Sequence, residues 1–382
     1  KNSRFRYKIN GLITRLFCAE CSLPYFCMAR GYGCCIWVTR LGSNKQPFLF
    51  ALILLGSKGG IMANERLRKA RKNKNDEFYT QLADIEEEMR HYKKYFKGKT
   101  VLCNCDDPRI SNFFHYFSYN FEHLGLKKLI TTCYKNQNRD LFSRNDCEQA
   151  IYLEYTGSKK GGNVPEAEEI GIKYLKGDGD FRSKECIELL KQADIVVTNP
   201  PFSLFREYVA QLMEYDKKFI IIGNKNAITY KEIFHLIKEN KIWLGYRNIN
   251  KDMWLILPEK EKKYEKFIDG KKLKHIMACW FTNFDISKRH EELILYKNYN
   301  PQDYPKYDNY DAINVDKTSD IPCDYYGVMG VPITFLDKYN PEQFEILGDS
   351  RYHDGKQEAD DINIINGKQL YRRILIKRKG GR

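Results

Sequence analysis

The sequence predicts an α/β protein with a doubly wound, mostly parallel sheet, the Rossmann-like architecture, followed by a smaller C-terminal module. Three observations support this fold class. Short buried-type strands alternate with amphipathic helices from about residue 84 to residue 284. The segment 194–198, DIVVT, is apolar on both faces, as expected in a parallel sheet. From about His290 the pattern loosens into sequence rich in Tyr, Asn, Asp and Pro, which indicates the second module.

The individual elements follow from local patterns. Strands are predicted over 100–105, 128–134, 194–198, 218–223, 241–246 and 275–284. Helices are predicted over 84–95, 112–121, 183–191, 205–215 and 231–239. The first of these helices carries its acids early and its lysines late, an order that suits the helix dipole. The polar, glycine-containing stretch 135–169 predicts an excursion from the sheet.

Composition excludes several classes of protein. The chain has 382 residues, 42% of them hydrophobic and 30% charged, which describes a globular protein rather than a disordered or fibrous one. Twelve cysteines in this length are too few for a disulfide scaffold. The longest apolar run, 48–55, has eight residues and is too short to span a bilayer, so no membrane partner is expected. The net charge of +14 favours a polyanionic partner.

The first 61 residues differ from the rest. They hold nine basic residues against one acid, a net charge of +8 that leaves +6 for the other 321 residues. Residues 58–62, Lys-Gly-Gly-Ile-Met, can be encoded by AAAGGAGG shortly before ATG, the pattern of a bacterial ribosome-binding site. We therefore expect translation to start at Met62, and residues 1–61 to be translated upstream sequence, not a domain. The five cysteines in this segment lack the two spaced pairs of a structural zinc site, so no metal is predicted.

The motif richest in chemical information is Asn199-Pro200-Pro201-Phe202, directly after the strand 194–198. It matches the (Asp/Asn/Ser)-Pro-Pro-(Tyr/Phe/Trp) signature of amino-methyltransferases. An exocyclic amine is a poor nucleophile, and the Asn199 side-chain oxygen and the Pro200 carbonyl can each accept one of its N–H groups. The prolines stiffen the turn, and Phe202 offers a face on which a planar base can stack. The alternative is an ordinary Asn-Pro-Pro turn.

Three further segments are candidates for a cofactor site, because ligands of such sheets bind beyond the carboxyl ends of the strands. The acidic turn 177–181 carries Asp180, which can accept the amine of an adenosyl group, and Phe181, which can pack on its ring. Residues 103–107 follow the first strand, where nucleotide-binding folds cradle the cofactor, but they lack Gly-x-Gly. Residues 76–80 are positioned to close over the methionine end of the cofactor. Each segment also has a plain structural interpretation as a surface turn or loop.

Together these segments resemble the EcoRI-type family of adenine-specific DNA methyltransferases. The matching segments lie within 62–382 and none lies in 1–61: NDEFYTQ (75–81), CNCDDPRISNFF (103–114), GDGDFRS (177–183), DIVVTNPPFSLF (194–205), ITYKEIFHLIKENKIWLG (228–245), YPKYDNYDAINV (304–315), GVMGVPITFL (327–336) and YNPEQFE (339–345). Two segments, about 135–175 and about 246–275, depart from the family pattern, and loops there could contact DNA.

The resemblance implies methyl transfer from S-adenosylmethionine to the N6 atom of a flipped adenine in double-stranded DNA. It implies that Asn199, Pro200 and Phe202 hold the base. It also implies a cofactor site lined by Tyr79, Thr80, Cys105, Asp106, Asp107 and Asp180, to which the acidic turn adds Phe181. The expected organisation is a catalytic domain over 62–290 and a target-recognition module over 291–382.

The expected setting is the cytoplasm of a bacterium, for a host- or phage-encoded enzyme. We expect a monomer that forms the modification half of a restriction–modification system, with a possible cognate endonuclease. Two alternatives stay open from the residues: an RNA or protein-glutamine amino-methyltransferase, and a non-enzymatic DNA-binding protein. Because the charge after residue 61 is modest, we expect DNA contact at local basic patches, among them 66–74, Arg372-Arg373 and 377–379.

Overall fold

The computed structural model describes residues 79–105, 107–134, 149–157, 166–251, 253–257, 263–350 and 363–380, together with the backbone of three strands near the N-terminus. Lys1–Lys69 and Ala70–Arg382 form two compact units. In the first unit, β1 (Ile13–Phe17), β2 (Pro24–Arg30) and β3 (Cys34–Trp37) pair antiparallel in that order. That residues 1–61 are translated upstream sequence stays a prediction. The basic segment 66–74 lies outside the described residues.

The second unit contains all the remaining described elements. Its strands are β4 (Tyr79–Thr80), β5 (Thr100–Asn104), β6 (Lys128–Thr132), β7 (Ile151–Tyr155), β8 (Lys173–Tyr174), β9 (Ile195–Thr198), β10 (Lys218–Asn224), β11 (Trp243–Leu244), β12 (Met253–Ile256), β13 (Lys266–Ile268), β14 (Lys271–Ile276), β15 (Ala278–Thr282), β16 (Ile313–Asn314), β17 (Met329–Pro332), β18 (Phe344–Asp349), β19 (Ile364–Ile365), β20 (Lys368–Gln369) and β21 (Arg373–Arg378). Its α-helices are Leu82–Met89, Lys93–Phe96, Asn112–Tyr119, Phe121–Leu124, Ala167–Ile170, Lys184–Gln192, Phe205–Glu214 and Lys231–Lys238.

In the described part of this unit, the central sheet has eight strands in the order β11-β15-β10-β9-β5-β6-β7-β8. The strands β10, β9, β5 and β6 pair in parallel, and β15 and β7 run antiparallel on either side of them. The outermost strands reverse again, so six of the eight strands share one direction. The predicted mixed α/β fold with a mostly parallel sheet is therefore confirmed.

The central strands are buried on both faces, which explains their continuous apolar sequence. Every residue of β5 and β9 is buried. Alternate residues of these strands enter two core clusters, one on each face of the sheet. In the first cluster, Val101 and Val197 pack with the helices Leu82–Met89 and Asn112–Tyr119. Their neighbours Leu102 and Val196 enter the second cluster. The second cluster includes helix Phe205–Glu214 and its neighbours Lys184–Gln192 and Lys231–Lys238. Helices thus cover both faces, as a doubly wound sheet requires.

Two groups of strands were not expected. The predicted excursion over 135–169 contains β7, whose burial alternates along IYLEY, a period of two that the sequence carries. Before β15, the strands β12, β13 and β14 join β4 in an antiparallel sheet of order β13-β14-β12-β4, which we call the outer sheet. The pairing partner of β12, the two-residue β4, lies more than 170 positions earlier in the chain, so sequence alone could not assign it.

After residue 290 the chain adds a four-stranded sheet of order β16-β17-β21-β18. Its inner face, with Val331 and Ile376, enters the same core cluster as helix Phe205–Glu214. Most of the cations in the predicted C-terminal basic patch bond within this module. Arg372 pairs with Asp349 at 2.5 Å, Arg373 is 9% exposed, Arg378 donates to the Cys323 carbonyl, and Lys379 donates to the Pro341 carbonyl. The target-recognition role of this module stays a prediction.

Glu88 fixes the loop that leads from β11 towards the outer sheet. The side chain is fully buried and accepts hydrogen bonds from the Tyr92 hydroxyl at 2.9 Å and the main-chain N–H groups of Tyr246 and Arg247 at 2.7 and 2.8 Å. At Gly245 an added Cβ would lie 2.2 Å from the Glu88 carboxylate, so only glycine allows this approach. Burial raises the pKa of Glu88. The Glu88 carboxylate thus accepts the main-chain hydrogen bonds that a neighbouring strand would accept in a sheet.

Replacing Glu88 with Ala should lower the free energy of unfolding by about 3 kcal/mol, because it leaves two partly buried main-chain donors without an acceptor. Urea unfolding followed by tryptophan fluorescence measures this loss. Glu86→Ala is the matched control, since Glu86 lies exposed on the same helix, and it should change stability by less than about 0.5 kcal/mol. Equal losses in the two variants would contradict the role given to Glu88.

Candidate active site

The carboxyl ends of β9, β5 and β6 lie side by side at one edge of the central sheet. The chain leaves β5 towards β6 on one side, and β9 lies on the other side. This is a topological switch point, where open α/β sheets bind ligands. The Thr198 hydroxyl at the end of β9 donates to the Asn104 main-chain carbonyl at the end of β5, and both residues are buried. The loops that follow the two strands therefore begin side by side.

The Asn199–Phe202 loop leaves β9 at this point. The side-chain oxygen of Asn199 is buried, Pro200 is buried, and Pro201 and Phe202 are half-buried. The Pro201 carbonyl accepts a hydrogen bond from Leu204 N–H at 2.9 Å, which begins the 3-10 turn Phe202–Leu204. Helix Phe205–Glu214 continues from that turn. The four residues of the predicted motif thus form a short, stiff loop at the switch point.

The loop after β5 begins with an uncommon backbone conformation. Cys105 has φ = +86°, a region that favours glycine, so this turn is tight even though it lacks the Gly-x-Gly pattern. Asp107 is 8% exposed, and its main-chain carbonyl accepts from Ser111 N–H at 2.8 Å. Ser111 then caps helix Asn112–Tyr119. Asp106 lies outside the described residues.

The acidic turn packs against the end of β6. Gly179 has φ = +79°, and an added Cβ would lie 2.3 Å from the Cys133 carbonyl oxygen, so the turn reaches this position only with glycine. Asp178 accepts from Asp180 N–H at 3.0 Å. Burial together with the charges of Asp178 and Asp180 raises the pKa of Tyr134, just beyond β6. Both carboxylates therefore lie near the carboxyl edge of the sheet.

An Asp-x-Arg clamp holds each of the two acidic segments. Arg109 donates its main-chain N–H and its side chain to Asp107 at 2.6–3.2 Å. Arg182 does the same to Asp180 at 2.6–2.9 Å. The hydrogen bonds from Arg182 lower the pKa of Asp180, so this carboxylate is charged at neutral pH. The aspartates are among the residues predicted from the sequence and the arginines are not, although the repeated Asp-x-Arg spacing is visible there.

Helix Phe205–Glu214 joins these loops to one another. Its Tyr208 donates to the side-chain oxygen of Asn104 at the end of β5 and packs edge-on against the ring of Phe181, with ring centroids 5.0 Å apart. Its Glu207 pairs with Arg182 at 2.8 Å. The helix follows the Asn-Pro-Pro-Phe loop, so one rigid element connects the predicted base-holding loop with two of the three predicted cofactor segments. Phe181 is itself 7% exposed and is part of the core.

The segment Tyr79–Thr80 forms β4, whose partner is β12. The Thr80 carbonyl accepts from the Asn112 side chain at 2.7 Å, which places β4 beside the helix that follows the Asp107 loop. The Thr80 hydroxyl is buried and has no hydrogen-bond partner among the described residues. The Tyr79 side chain lies outside the described residues. The structure thus brings Thr80, Cys105, Asp107, Asp180 and the Asn-Pro-Pro-Phe loop to neighbouring elements at one edge.

In open α/β sheets the crevice at such a switch point binds nucleotides, and an Asn-Pro-Pro-Phe loop beside it is typical of a methyltransferase that acts on an amino group. A family model described as adenine-specific methyltransferase EcoRI matches residues 66–379. The chain is 54% identical over 323 residues to the type II methyltransferase M.EcoRI of Escherichia coli, covering 83% of this chain and 97% of that protein. It is 40% identical over 335 residues to M.MgeORF184P of Mycoplasma genitalium, covering 81% of this chain and 98% of that protein.

A third relative, M.MpnI of Mycoplasma pneumoniae, is 38% identical over 336 residues, covering 81% of this chain and 97% of that protein. The chain belongs to the EcoRI family of adenine-specific methyltransferases, and it is an enzyme that methylates adenine in DNA. The resemblance found in the sequence is confirmed, and the RNA, protein-glutamine and non-enzymatic alternatives are set aside. A search of solved structures finds no significant match. Within the described ranges, no helix has the length and apolar character needed to cross a membrane.

The Asp180–Arg182 clamp should make stability depend on pH. Because the folded-state pKa of Asp180 lies below its usual value, its contribution is present above about pH 4 and is lost as the pH falls through the folded-state pKa. The difference in unfolding free energy between the wild type and Asp180→Asn should therefore shrink on acidification. Urea unfolding between pH 7 and pH 3 measures it. Glu188→Gln, at an exposed carboxylate, is the control. A difference for Asp180→Asn that is constant over this range would refute the clamp.

Proposed function

We propose that the enzyme transfers a methyl group from S-adenosylmethionine to the N6 atom of an adenine flipped out of a specific site in duplex DNA. The observation that carries the proposal is the position of the Asn199–Phe202 loop at the switch point, beside the loop that begins at Cys105. A flipped base and a nucleotide cofactor can both be held there, one on each side of the crevice. Family membership supports adenine as the base.

The residues at the switch point fit S-adenosylmethionine by their chemistry. The cofactor has an adenine amine, ribose hydroxyls and a methionine ammonium, all hydrogen-bond donors, and the site offers Asp180, Asp107 and the buried hydroxyl of Thr80 as acceptors. An ionised carboxylate has about four acceptor positions, so an aspartate clamped by arginine still has capacity. We assign Asp180 to the adenine amine and Tyr79 and Thr80 to the methionine end. When bound, the cofactor supplies an electrophilic methyl group on a sulfonium centre.

The Asn-Pro-Pro-Phe loop then orients the target amine. The Asn199 side-chain oxygen accepts one N–H of the amine, and the Pro200 carbonyl accepts the other. These two acceptors favour a pyramidal nitrogen and direct its lone pair out of the base plane, which is orientation combined with electrostatic stabilisation of the transition state. The ring of Phe202 provides a stacking face for the base. The nitrogen loses its proton after the transfer, so the site needs no general base beforehand.

The setting of the enzyme follows from its relatives. M.EcoRI is named a type II methyltransferase, which supports placing this chain on the modification side of a restriction–modification system. A cognate endonuclease, if the system has one, would act on the same DNA site without needing to contact this protein. We propose that residues 291–382 contain a target-recognition module and that the enzyme acts as a monomer.

Replacing Asn199 with Ala should lower kcat for methyl transfer by about 10²- to 10³-fold, the usual cost of losing one acceptor or donor aimed at the transition state. Binding of duplex DNA and of S-adenosylmethionine should change by less than about threefold. Asn199→Asp is the matched variant, because it keeps an oxygen acceptor and the signature allows Asp at this position, so it should retain measurable activity. Single-turnover methylation with labelled cofactor measures the rates. Full activity of Asn199→Ala would refute the assigned role.

The product can be identified directly. Expression of the enzyme in a host that lacks DNA methylation should place N6-methyladenine at one short sequence and leave cytosine unmodified. Sequencing of native DNA from that host reports both the base and its context. The Asn199→Ala variant expressed at the same level is the control and should leave the DNA unmodified. Methylation of RNA or protein without methylation of the duplex would overturn the proposal.

A further inference from the structure

The hairpin β13–β14 projects from the outer sheet with cationic and apolar side chains exposed together. Its strands are joined by the two-residue turn Asp269-Gly270, and both residues have positive φ, at +49° and +74°. Such a turn matches the natural twist of a two-stranded ribbon. Phe267 and Ile268, just before the turn, are 59% and 49% exposed. Large apolar side chains at the tip of a ribbon indicate a surface that a partner covers.

The charge of the hairpin selects the kind of partner. Residues 263–276 contain five lysines against two acids. Three of these lysines, Lys263, Lys266 and Lys271, are exposed. The Nζ atom of Lys266 lies 3.9 Å from the centroid of the Trp254 ring, which holds the lysine charge on the surface of the sheet. Lys266 is paired with Leu273 on the neighbouring strand. A ribbon that combines lysines with exposed apolar side chains complements the phosphates and the sugar and base edges of nucleic acid.

The hairpin lies next to the carboxyl edge of the central sheet, where the candidate active site is located. After β14 ends at Ile276, the chain enters β15 at Ala278, which is paired with Asn224, the last residue of β10. The next strand is β9, whose carboxyl end leads into Asn199. On the other side of the outer sheet, β12 pairs with β4, which contains Thr80. Between β4 and β13 lie three strand spacings, about 14 Å at the usual separation.

We propose that the β13–β14 hairpin is a DNA-binding ribbon that lies in a groove of the substrate duplex beside the flipped adenine. Lys263, Lys266 and Lys271 bind phosphates, and Phe267 and Ile268 at the tip pack inside the groove. The major groove of B-DNA admits a two-stranded ribbon of this width. This inference rests on the proposed function, because it needs a duplex whose target base reaches the Asn199 loop.

The position of the other basic residues favours the hairpin over the C-terminal patch. Arg372 and Arg373 are directed at Asp349, Asn314 and Asp316 within their own sheet. Their charge is thus used to hold the C-terminal sheet together. The hairpin lysines lie on a projecting element, where a phosphate can approach without displacing core contacts.

The test compares two triple variants with the same change in net charge. One is Lys263→Ala/Lys266→Ala/Lys271→Ala. The control is Lys97→Ala/Lys99→Ala/Lys127→Ala, whose exposed lysines precede β5 and β6 at the opposite, amino edge of the sheet. The measurement is the dissociation constant for a duplex that contains the unmethylated target site, as a function of salt concentration. The hairpin variant should bind about 10- to 100-fold more weakly, with the slope of log K against log salt reduced by about 2–3.

A second variant, Phe267→Ser/Ile268→Ser, tests the tip separately. It should weaken duplex binding while leaving the salt slope unchanged, since it removes no charge. Binding of S-adenosylmethionine, which reports that the fold and cofactor site are intact, should equal the wild-type value in all three variants. Turnover at saturating DNA should also be kept, so that the loss is in KM.

Three outcomes would overturn the inference. Equal weakening in the hairpin and control triples would show that only net charge matters. An unchanged salt slope in the hairpin triple would show that its lysines contact no phosphates. Wild-type binding by Phe267→Ser/Ile268→Ser would exclude the tip from the groove. A wild-type enzyme that neither binds nor methylates the duplex would refute the proposed function as well, which separates that failure from failure of the hairpin alone.

Discussion

The parallel pairing of β5 with β9 is the constraint on which the active site depends. These strands are not consecutive in the chain, and the hydrogen bond from the Thr198 hydroxyl to the Asn104 carbonyl fixes the point where both end. From that point, the backbone of one loop turns at Cys105 and the other enters the prolines of the proposed base-holding motif. Because both strands are buried on both faces, neither can shift its register without moving apolar residues out of the core. The loops that follow β5 and β9 therefore begin at fixed positions.

The loops themselves are made stiff by local means. Two Asp-x-Arg clamps hold the acidic segments, and consecutive prolines hold the Asn199–Phe202 turn. Helix Phe205–Glu214 follows that turn and contacts Arg182 through Glu207 and the Asn104 and Phe181 side chains through Tyr208. Acceptors that are already in place do not have to reorganise when a substrate amine arrives, and this preorganisation is the main source of catalysis available to such a site. The Arg182 clamp also keeps the Asp180 carboxylate ionised, which suits the cationic and donor groups of the proposed cofactor.

Binding of DNA is assigned to elements outside this rigid centre. The outer sheet begins at Thr80, beside the proposed cofactor site, and ends in the cationic hairpin β13–β14. The loop that leads to it is held by the buried carboxylate of Glu88 rather than by regular secondary structure. The C-terminal sheet shares one core cluster with helix Phe205–Glu214, and buried residues of the outer sheet belong to the other core cluster.

The sequence by itself determined the family, the alternation of strands and helices, and the Asn-Pro-Pro-Phe motif, because each depends on local pattern. DIVVT followed by Asn-Pro-Pro-Phe carries its own strand, turn and chemistry within nine residues. Tertiary structure alone decided which distant segments meet. The pairing of β4 with β12 and the hydrogen bond from Tyr246 N–H to Glu88 each join residues far apart in the chain. The ion pairs of Arg372 and Arg373 within the C-terminal module occupy charges that the sequence alone shows as available. The partners of a side chain depend on how whole elements pack, and the sequence of one segment does not specify which distant segment will pack against it.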